Sequence, residues 1–402
     1  MTLPDAAAPA PDRYSTWQTA PLAVAGARVL VATKPGVFAH GLEDPSALML
    51  ADAVASLGRS TSVHLNCGNG MVPAAAAVAG GASVLWCADR SLPAVEATRR
   101  TLLANGIPGG HVMHAHGTHA FPLAIAADVV TIRVSTDKVA LQQLVWEAFH
   151  ALRLGGRCYL AGANDEGAKP AVRLLESIFG AARLEAQHSG HRMAVATKQQ
   201  VAPSSLEGGT SPYLDPDQFL ALPVTLAGRA FQLFTRPGVF SWEHLDEATQ
   251  LLADTMEIAA GESVLDLGCG AGALGLSAAA RSGTGRVLLL DADAEAVRCA
   301  ARGIAAAGLT NAAVRASDVG SAAGDERFDV VVSNPPFHQG KATDLTVPRQ
   351  FIADAATHLA PGGRLYLVAN RTLPYEQVVA EHFGAVRTVH DGRRFKVLAA
   401  TR

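Results

Sequence analysis

Residues 263–275 read Ser-Val-Leu-Asp-Leu-Gly-Cys-Gly-Ala-Gly-Ala-Leu-Gly, and an Ala-rich stretch continues from them through Arg281. The apolar run predicts a short buried strand, and the Ala-rich stretch predicts a helix. Gly268, Gly270 and Gly272 allow a tight turn between the two and let a ligand approach the backbone without a Cβ atom in the way. Because amides at a helix N-terminus face such a ligand, the segment predicts an α/β fold with a nucleotide-sized cofactor at the carboxyl ends of a parallel sheet.

The chain contains this kind of unit twice. Residues 64–70, His-Leu-Asn-Cys-Gly-Asn-Gly, correspond to 266–272 at an offset of 202 residues. The same offset relates Lys34-Pro35-Gly36-Val37-Phe38 to Arg236-Pro237-Gly238-Val239-Phe240, Asp89 to Asp291 and Gly106 to Gly308. After a few extra residues in the second half, 154–160 correspond to 361–367 at an offset of 207. One fold therefore occurs twice, although the first copy has His64 at the position of Asp266 and Asn66 at that of Gly268.

The predicted division has four parts: a flexible Ala/Pro-rich leader at 1–20, a first α/β unit at 21–198, a Pro/Gly/Ser-rich linker at 199–228 and a second unit at 229–402. The last strands, 385–390 and 395–400, flank an Asp-Gly turn signal and predict an antiparallel hairpin. We therefore expect two tandem Rossmann-like α/β domains, each a mostly parallel twisted sheet that ends in such a hairpin, an architecture that resembles the class I methyltransferase fold.

Composition excludes several classes of protein. The chain has 402 residues and a net charge of −3, which is not the footprint of a general nucleic-acid binder, so any RNA contact requires a local patch. Its five cysteines are scattered without zinc-site spacing, which favours reduced thiols in the cytoplasm and no metal. There is no run of about 18 apolar residues and no signal-peptide pattern, so we expect neither membrane insertion nor secretion.

Two cofactor classes compete for the glycine loop. Gly270, Gly272 and Gly275, with Asp291 standing 21 residues after Gly270, satisfy the dinucleotide fingerprint, so an NAD-dependent oxidoreductase stays open. Three carboxylates favour S-adenosylmethionine. Asp266 at the tip of the first strand suits the ammonium and sulfonium end, Asp291 suits both ribose hydroxyls, and Asp318 suits the adenine amine.

Residues 334–338, Asn-Pro-Pro-Phe-His, follow the apolar strand 328–333. An exocyclic base amine is a poor nucleophile because its lone pair is delocalised into the ring. Asn334 Oδ1 and the Pro335 carbonyl are two acceptors for its hydrogens, the fixed φ angles of Pro335 and Pro336 hold the turn, and Phe337 is placed to stack on a planar base. The stretch predicts a site that works by orientation and polarisation rather than by a strong base.

The second half closely resembles the bacterial ribosomal RNA guanine-N2 methyltransferases, the group that contains small-subunit methyltransferase C and large-subunit methyltransferase G. The stretches that carry the resemblance are 237–241, 264–272, 333–338, 368–375 and 394–397. It implies tandem methyltransferase folds in which only the C-terminal copy keeps the cofactor site, with the N-terminal copy assisting substrate binding or folding. It implies transfer of a methyl group from S-adenosylmethionine to guanine N2 in ribosomal RNA, with 16S RNA favoured over 23S RNA.

The resemblance also implies roles for particular residues. Phe240, Ser241 and Asn334 are expected at the cofactor together with the glycines and carboxylates of the second copy. Independently of the resemblance, RNA contacts are expected from His338 and from the basic residues near the predicted mouth of the site, which are Lys341, Arg349, Arg371, Arg393, Arg394 and Lys396. The partner is then ribosomal RNA or a ribosomal subunit, and the internal duplication favours a monomer.

Three other functions remain open from the residues. The same Asn-Pro-Pro-aromatic geometry suits an amide nitrogen of a protein glutamine or adenine N6. Asp266 and the Asn-Pro-Pro-Phe stretch at 334–337 argue against an NAD-dependent oxidoreductase. A non-catalytic RNA-binding or assembly protein is the third possibility.

Overall fold

The computed structural model describes residues 14–40, 43–122, 125–205, 208–336 and 345–402. The first copy contains, in chain order, β1 (Gln18–Val24), β2 (Ala27–Thr33), α1 (Pro45–Val54), β3 (Thr61–Leu65), α2 (Met71–Val78), β4 (Val84–Asp89), α3 (Leu92–Ala104), β5 (His111–His114), β6 (Ala127–Arg133), α4 (Lys138–Ala151), β7 (Leu152–Ala163), α5 (Ala168–Phe179), β8 (Arg183–His188) and β9 (His191–Thr197).

The second copy repeats this order. It contains β10 (Leu220–Leu226), β11 (Arg229–Thr235), α6 (Glu247–Thr255), β12 (Val264–Leu267), α7 (Ala273–Ser282), β13 (Val287–Asp291), α8 (Ala294–Ala306), β14 (Ala312–Ala316), β15 (Phe328–Ser333), α9 (Thr346–His358), β16 (Leu359–Asn370), α10 (Tyr375–Phe383), β17 (Val386–Asp391) and β18 (Phe395–Thr401). Short 3-10 turns lie at Asn164–Glu166, Gly208–Thr210, Pro212–Leu214 and Ser321–Ala323.

Each copy is built on a seven-stranded sheet within the described ranges. The strand orders are β5-β4-β3-β6-β7-β9-β8 and β14-β13-β12-β15-β16-β18-β17. The first five strands of each sheet are parallel, and the last two form an antiparallel hairpin whose second strand pairs with β7 or β16. The predicted fold class, two tandem class I methyltransferase folds with C-terminal hairpins, is confirmed.

An additional two-stranded hairpin precedes each sheet. The strands β1 and β10 begin at Gln18 and Leu220, so the first lies partly in the predicted leader and the second lies in the predicted linker. In β10 the side chains alternate between half-buried and exposed, a two-sided pattern that the Pro/Gly/Ser content of 199–228 obscured. Pro223 is tolerated there because a two-stranded hairpin has only edge strands. Residues 1–13 of the predicted leader lie outside the described residues.

The site is positioned by the centre of the second sheet. The strand β12 is buried along its whole length, and it pairs in parallel with β13 on one side and β15 on the other. The chain reverses its strand order here, and the carboxyl ends of these strands open a crevice where ligands bind in doubly wound folds. Apolar side chains of β12, β13 and β15 pack against the helices on both faces.

The two copies meet about a pseudo-two-fold contact. Ser91 forms an antiparallel bridge with Asp293, its own counterpart at the offset of 202. Two backbone hydrogen bonds of 2.8 Å flank the bridge, from Leu92 N–H to Ala292 O and from Ala294 N–H to Arg90 O. Arg90 also donates to both carboxylate oxygens of Asp293, with Nε at 2.9 Å from each. The duplicated units therefore bind each other as the halves of an isologous dimer do.

We expect Arg90→Ala to destabilise the protein by about 1–3 kcal/mol, because the partly buried Asp293 carboxylate loses its charge partner and keeps the hydrogen bond from the Glu295 N–H. The matched control is Arg394→Ala, whose partner Glu247 and own side chain are each 68% exposed, and it should change stability little. Urea denaturation of both variants checks this. An Arg90 variant as stable as the control would contradict the importance of the contact.

Candidate functional site

A cavity of about 490 Å³ lies over the carboxyl ends of β12, β13 and β15. Its size suits a nucleotide-sized ligand. The second copy supplies most of the wall, including Phe240, Ser241, Gly268, Gly270, Asp291, Asp318, Asn334, Pro335 and Pro336, and the first copy supplies Tyr14, Gly36, Ser91 and Pro93. The structure therefore brings most of the sequence-predicted residues of the second copy to one cavity, and it adds a wall from the first copy that was not predicted.

The glycine loop makes the turn between β12 and α7. Gly268 has a φ of +71°, and a Cβ atom there would lie 2.8 Å from Cε1 of Phe351. Gly270, also at positive φ, lines the cavity and has open space where a Cβ atom would stand. Gly272 caps α7 at a φ of +88° and packs against Ala300. The loop thus combines a conformation that favours glycine with a bare backbone surface toward the cavity.

Asp291 is fixed at the end of β13 by two backbone donors. Its Oδ2 accepts from the Gly270 N–H at 2.7 Å, and its Oδ1 accepts from the Asp293 N–H at 2.9 Å. Burial, reinforced by the charge of Asp293, raises the pKa of Asp291 to about 6. Each carboxylate oxygen has more than one acceptor site, so both can also accept from a ligand's hydroxyl groups.

Asp266 lies behind the glycine loop and is fully buried. Its Oδ2 accepts from the Gly275 N–H at 2.8 Å, while its Oδ1 has no hydrogen-bond partner among the described residues. Burial, with a further contribution from Asp291, raises the pKa of Asp266 to about 7. A carboxylate held in this way is stabilised by any cation that enters nearby. The donor set therefore fits a ligand with a positively charged end.

Asn334 follows β15 and is oriented by α6. Its Nδ2 donates to Asp246 Oδ2 at 3.1 Å and to Thr249 Oγ1 at 2.9 Å. Because the Asp246 carboxylate only accepts, this contact fixes the amide with its nitrogen toward α6. Asn334 Oδ1 is buried and has no partner in the described part of the chain. The side chain thus presents an acceptor that no described residue uses.

Asp318 is bound by two residues of the first copy. The Lys34 ammonium lies 2.5 Å from Asp318 Oδ2, and the Tyr14 hydroxyl donates to Asp318 Oδ1 at 2.6 Å. This carboxylate faces the cavity at the end of β14. The carboxylate predicted to accept from adenine is therefore already part of an inter-copy cluster.

The residues predicted to contact the base and the RNA do not lie together in the described structure. Phe337, His338 and Lys341 lie outside the described residues. Arg371 is exposed beside Asp391, with Nε 3.3 Å from Oδ1. Lys396 is buried, and its ammonium donates to the Leu373 carbonyl and to Glu376, each at 2.7 Å. Its donors are committed to the protein, so a phosphate contact there would require a rearrangement.

Sequence reasoning missed the residues that support the predicted ones: Tyr14, Lys34, Asp246, Thr249 and Phe351. A signal existed for Asp246, since it is an N-cap residue whose carboxylate accepts from the Thr249 N–H, and Asp44 occupies the same position in the first copy. Lys34 belongs to the repeated Lys/Arg-Pro-Gly-Val-Phe segment. Nothing local indicated that its side chain reaches the other copy.

The first copy has a corresponding cavity of about 320 Å³. His64 lies at the position of Asp266 with both ring nitrogens hydrogen-bonded, to Ser62 at 2.9 Å and Thr131 at 2.8 Å, and burial lowers its pKa to about 3. Arg90 replaces Ala292 and lines the cavity. Arg133 replaces Asn334, and its guanidinium is paired with Asp44 and Glu166. The first cavity therefore has a neutral imidazole and two guanidinium groups where the second has carboxylate, methyl and amide groups.

Other chemistry receives little support from the described ranges. All five cysteines are buried free thiols. Within those ranges no three His, Cys, Asp or Glu side chains are grouped as metal ligands would be. None of the described helices combines the length and apolar character needed to cross a bilayer.

Comparison with known proteins gives consistent matches. The methyltransferase small domain family matches the chain twice, at residues 28–194 and 230–399. Ribosomal RNA small subunit methyltransferase C of Pseudomonas aeruginosa strain LESB58 is 35% identical over 248 residues, which are 62% of this chain and 71% of that protein. Its namesake in Alteromonas mediterranea is 29% identical over 316 residues, 78% of this chain and 84% of that protein.

A solved structure extends the similarity to nearly the whole chain. It is the T. thermophilus 16S rRNA N2 G1207 methyltransferase in complex with AdoMet and guanosine. The identity is 30%, the TM-score is 0.81, and the match covers 97% of this chain and 99% of that one.

The raised pKa of Asp266 generates a prediction for S-adenosylmethionine binding. In the ligand-free protein the carboxyl is largely protonated below pH 7, and a cationic ligand favours the ionised form. Affinity should therefore fall as pH decreases from 8 to 6, by at most about tenfold per pH unit below the pKa. Calorimetric titration across this range measures it. Asp266→Asn should bind S-adenosylmethionine more weakly, and its affinity should depend less on pH. If the pH dependence of this variant equals that of wild type, Asp266 is not the group whose ionisation the ligand favours.

Proposed function

We propose, from the premise that this chain belongs to the ribosomal RNA small subunit methyltransferase C family of methyltransferase small domain proteins, that its second copy methylates guanine N2 with the residues described above. The protein is an S-adenosylmethionine-dependent ribosomal RNA (guanine-N2-)-methyltransferase. The observation that carries the residue assignment is the buried Oδ1 of Asn334, which has no hydrogen-bond partner among the described residues, in a cavity whose lining also includes Asp291 and Asp318. We further propose that the target is the 16S guanosine that the T. thermophilus relative modifies.

The residues around the cavity fit S-adenosylmethionine. Asp266, with the loop Gly268–Gly272, would hold the methionine end, because the buried Oδ1 lacks a donor partner in the described structure. Asp291 would accept from the ribose hydroxyls and Asp318 from the adenine amine. Phe240 and Ser241 line the outer wall, where Phe240 is 65% exposed. When bound, the cofactor supplies a methyl group on a sulfonium, a leaving group that departs with the C–S electron pair as a neutral thioether.

The contribution of Asn334 is to hold and polarise the guanine amine. Its Oδ1 accepts one N2–H, and the Pro335 carbonyl is the candidate acceptor for the other. Both acceptors draw the lone pair away from the ring and toward the incoming methyl carbon. The N2 atom forms the new bond and releases one proton to water, so no strong base is needed. Asp246 and Thr249 prevent the amide from turning its nitrogen to the substrate.

We propose that the first copy, 21–198, is catalytically degenerate and serves substrate binding or folding, and that 229–402 is the catalytic unit. This division rests on His64, Arg90 and Arg133 in the first cavity. We also propose action as a monomer in the cytoplasm, because the isologous contact that a dimer would use is already made within the chain. The candidate contacts to RNA phosphates are Arg371, Arg393 and Arg394.

The test of the reaction is transfer of labelled methyl to 16S RNA, free and as small subunits, followed by nucleoside analysis. Wild type should produce N2-methylguanosine. Asn334→Ala should lower its rate by about 10²–10³, the range for loss of one preorganised polar contact to a reacting group. The matched control is Asn164→Ala, an exposed asparagine of the first copy, which should retain activity.

Two outcomes would overturn the assignment. Label in protein or in N6-methyladenosine would favour the alternative acceptors that suit the same geometry. An Asn334→Ala variant as active as the Asn164 control would remove Asn334 from the chemistry while leaving the methyltransferase activity in place.

A further inference from the structure

The repeated Lys/Arg-Pro-Gly-Val-Phe segment crosses between the copies. Lys34 directly follows β2 of the first copy, yet its ammonium lies 2.5 Å from Asp318 Oδ2 in the second copy. The Lys34 side chain is only 4% exposed, whereas that of Asp318 is 23% exposed and faces the cavity. A charge buried to this extent is stable only because it is paired. The contact therefore ties the first copy to the adenine end of the proposed cofactor site.

Tyr14 completes this cluster. Its hydroxyl donates to Asp318 Oδ1 at 2.6 Å, and its ring centroid lies 3.7 Å from the Lys34 ammonium. Gly36, at a φ of +92°, makes the arrangement possible, because a Cβ atom there would stand 2.6 Å from the Tyr14 hydroxyl oxygen. Tyr14 and Gly36 both line the cavity. The N-terminal segment and the repeated segment are thus shaped to fit each other against the second copy.

We infer that the first copy, with the segment that precedes it, completes the cofactor site of the second: Lys34 and Tyr14 hold the Asp318 carboxylate in the orientation in which it selects adenine. The inference rests on the proposed function, in which Asp318 faces the adenine ring. Adenine presents an amino donor beside a ring nitrogen that accepts. The Asp318 carboxylate supplies the acceptor for that amino group, and Lys34, which does not line the cavity, acts by fixing the carboxylate.

The corresponding position of the second copy supports a dedicated role for Lys34. Arg236 occupies the same place in the repeat, but its guanidinium donates to carbonyls of the connecting segment, those of Tyr213, Asp215 and Pro216, each at 2.9 Å, and pairs with Glu295. The Arg236 side chain therefore binds the segment 213–216 that leads into the second copy, and it does not pair with a carboxylate of the cavity. The two basic residues share a backbone position and have different partners.

The test compares Lys34→Met, Lys34→Arg and Tyr14→Phe with Lys169→Met, an exposed lysine of the first copy. Calorimetry with S-adenosylhomocysteine should show binding weakened about tenfold in Lys34→Met, less in Tyr14→Phe, largely restored in Lys34→Arg, and unchanged in the control. In methyl transfer, the KM for S-adenosylmethionine should rise with little change in kcat or in the KM for RNA. Thermal melts of each variant separate this effect from a loss of folding.

S-inosylhomocysteine, whose base edge has the donor and acceptor exchanged, provides a second readout. Wild type should strongly prefer the adenosyl compound, and Lys34→Met should lose part of that preference. Unaltered affinity and preference in a folded Lys34→Met variant would overturn the inference. The Asp266→Asn variant separates failure of this inference from failure of the proposed function. If Asp266→Asn loses S-adenosylhomocysteine binding while Lys34→Met keeps it, only the inference fails. If both variants bind normally, the assignment of the cofactor site fails.

Discussion

The structure depends on two carboxylates held at the ends of neighbouring parallel strands in the second copy. Asp266 accepts from the Gly275 N–H of α7, Asp291 accepts from the Gly270 N–H of the glycine loop and the Asp293 N–H just before α8, and burial raises the pKa of both carboxyl groups. Burial of these two carboxyl groups disfavours their ionised forms, and a cationic ligand bound nearby stabilises the ionised forms. The strand order and the central buried strand β12 place Asp291 on the wall of the cavity and leave Asp266 fully buried. Asn334, held by α6, then directs an acceptor to this cavity.

Duplication gave the first copy the same scaffold, and three side chains account for its different cavity. His64, whose pKa burial lowers to about 3, replaces the buried carboxyl group, and Arg90 lines the cavity where the second copy has only a methyl group. Arg133 pairs with carboxylates, whereas Asn334 Oδ1 has no partner among the described residues. Arg90 at the same time pairs with Asp293 across the interface. A side chain that narrows the first cavity therefore also stabilises the contact between the copies. One residue, Arg90, thus contributes both to the lining of the first cavity and to the contact between the copies.

Much of the fold was predictable, because constant offsets between the halves and a strand-glycine-helix pattern are local properties of the sequence. The positions of Asp291 and Asn334 were predictable for the same reason, because Asp291 ends one apolar strand and Asn334 directly follows another. The hairpins β1–β2 and β10–β11 were harder to place, because a two-sided alternating strand such as β10 resembles a polar linker. The contact of Tyr14 with Asp318 spans 304 residues, and the support of Asn334 by Asp246 spans 88. Such contacts follow from how the two units pack, which local patterns do not encode.

We propose that one copy of this duplicated fold binds the cofactor. Equilibrium dialysis tests this by measuring the stoichiometry of S-adenosylhomocysteine binding for wild type, Asp89→Asn and Asp291→Asn, because the two variants change matching carboxylates in the two copies. We expect one site per chain, retained in Asp89→Asn and lost or severely weakened in Asp291→Asn. Two equivalent sites in wild type, or loss of binding in Asp89→Asn with retention in Asp291→Asn, would show that the proposal is wrong.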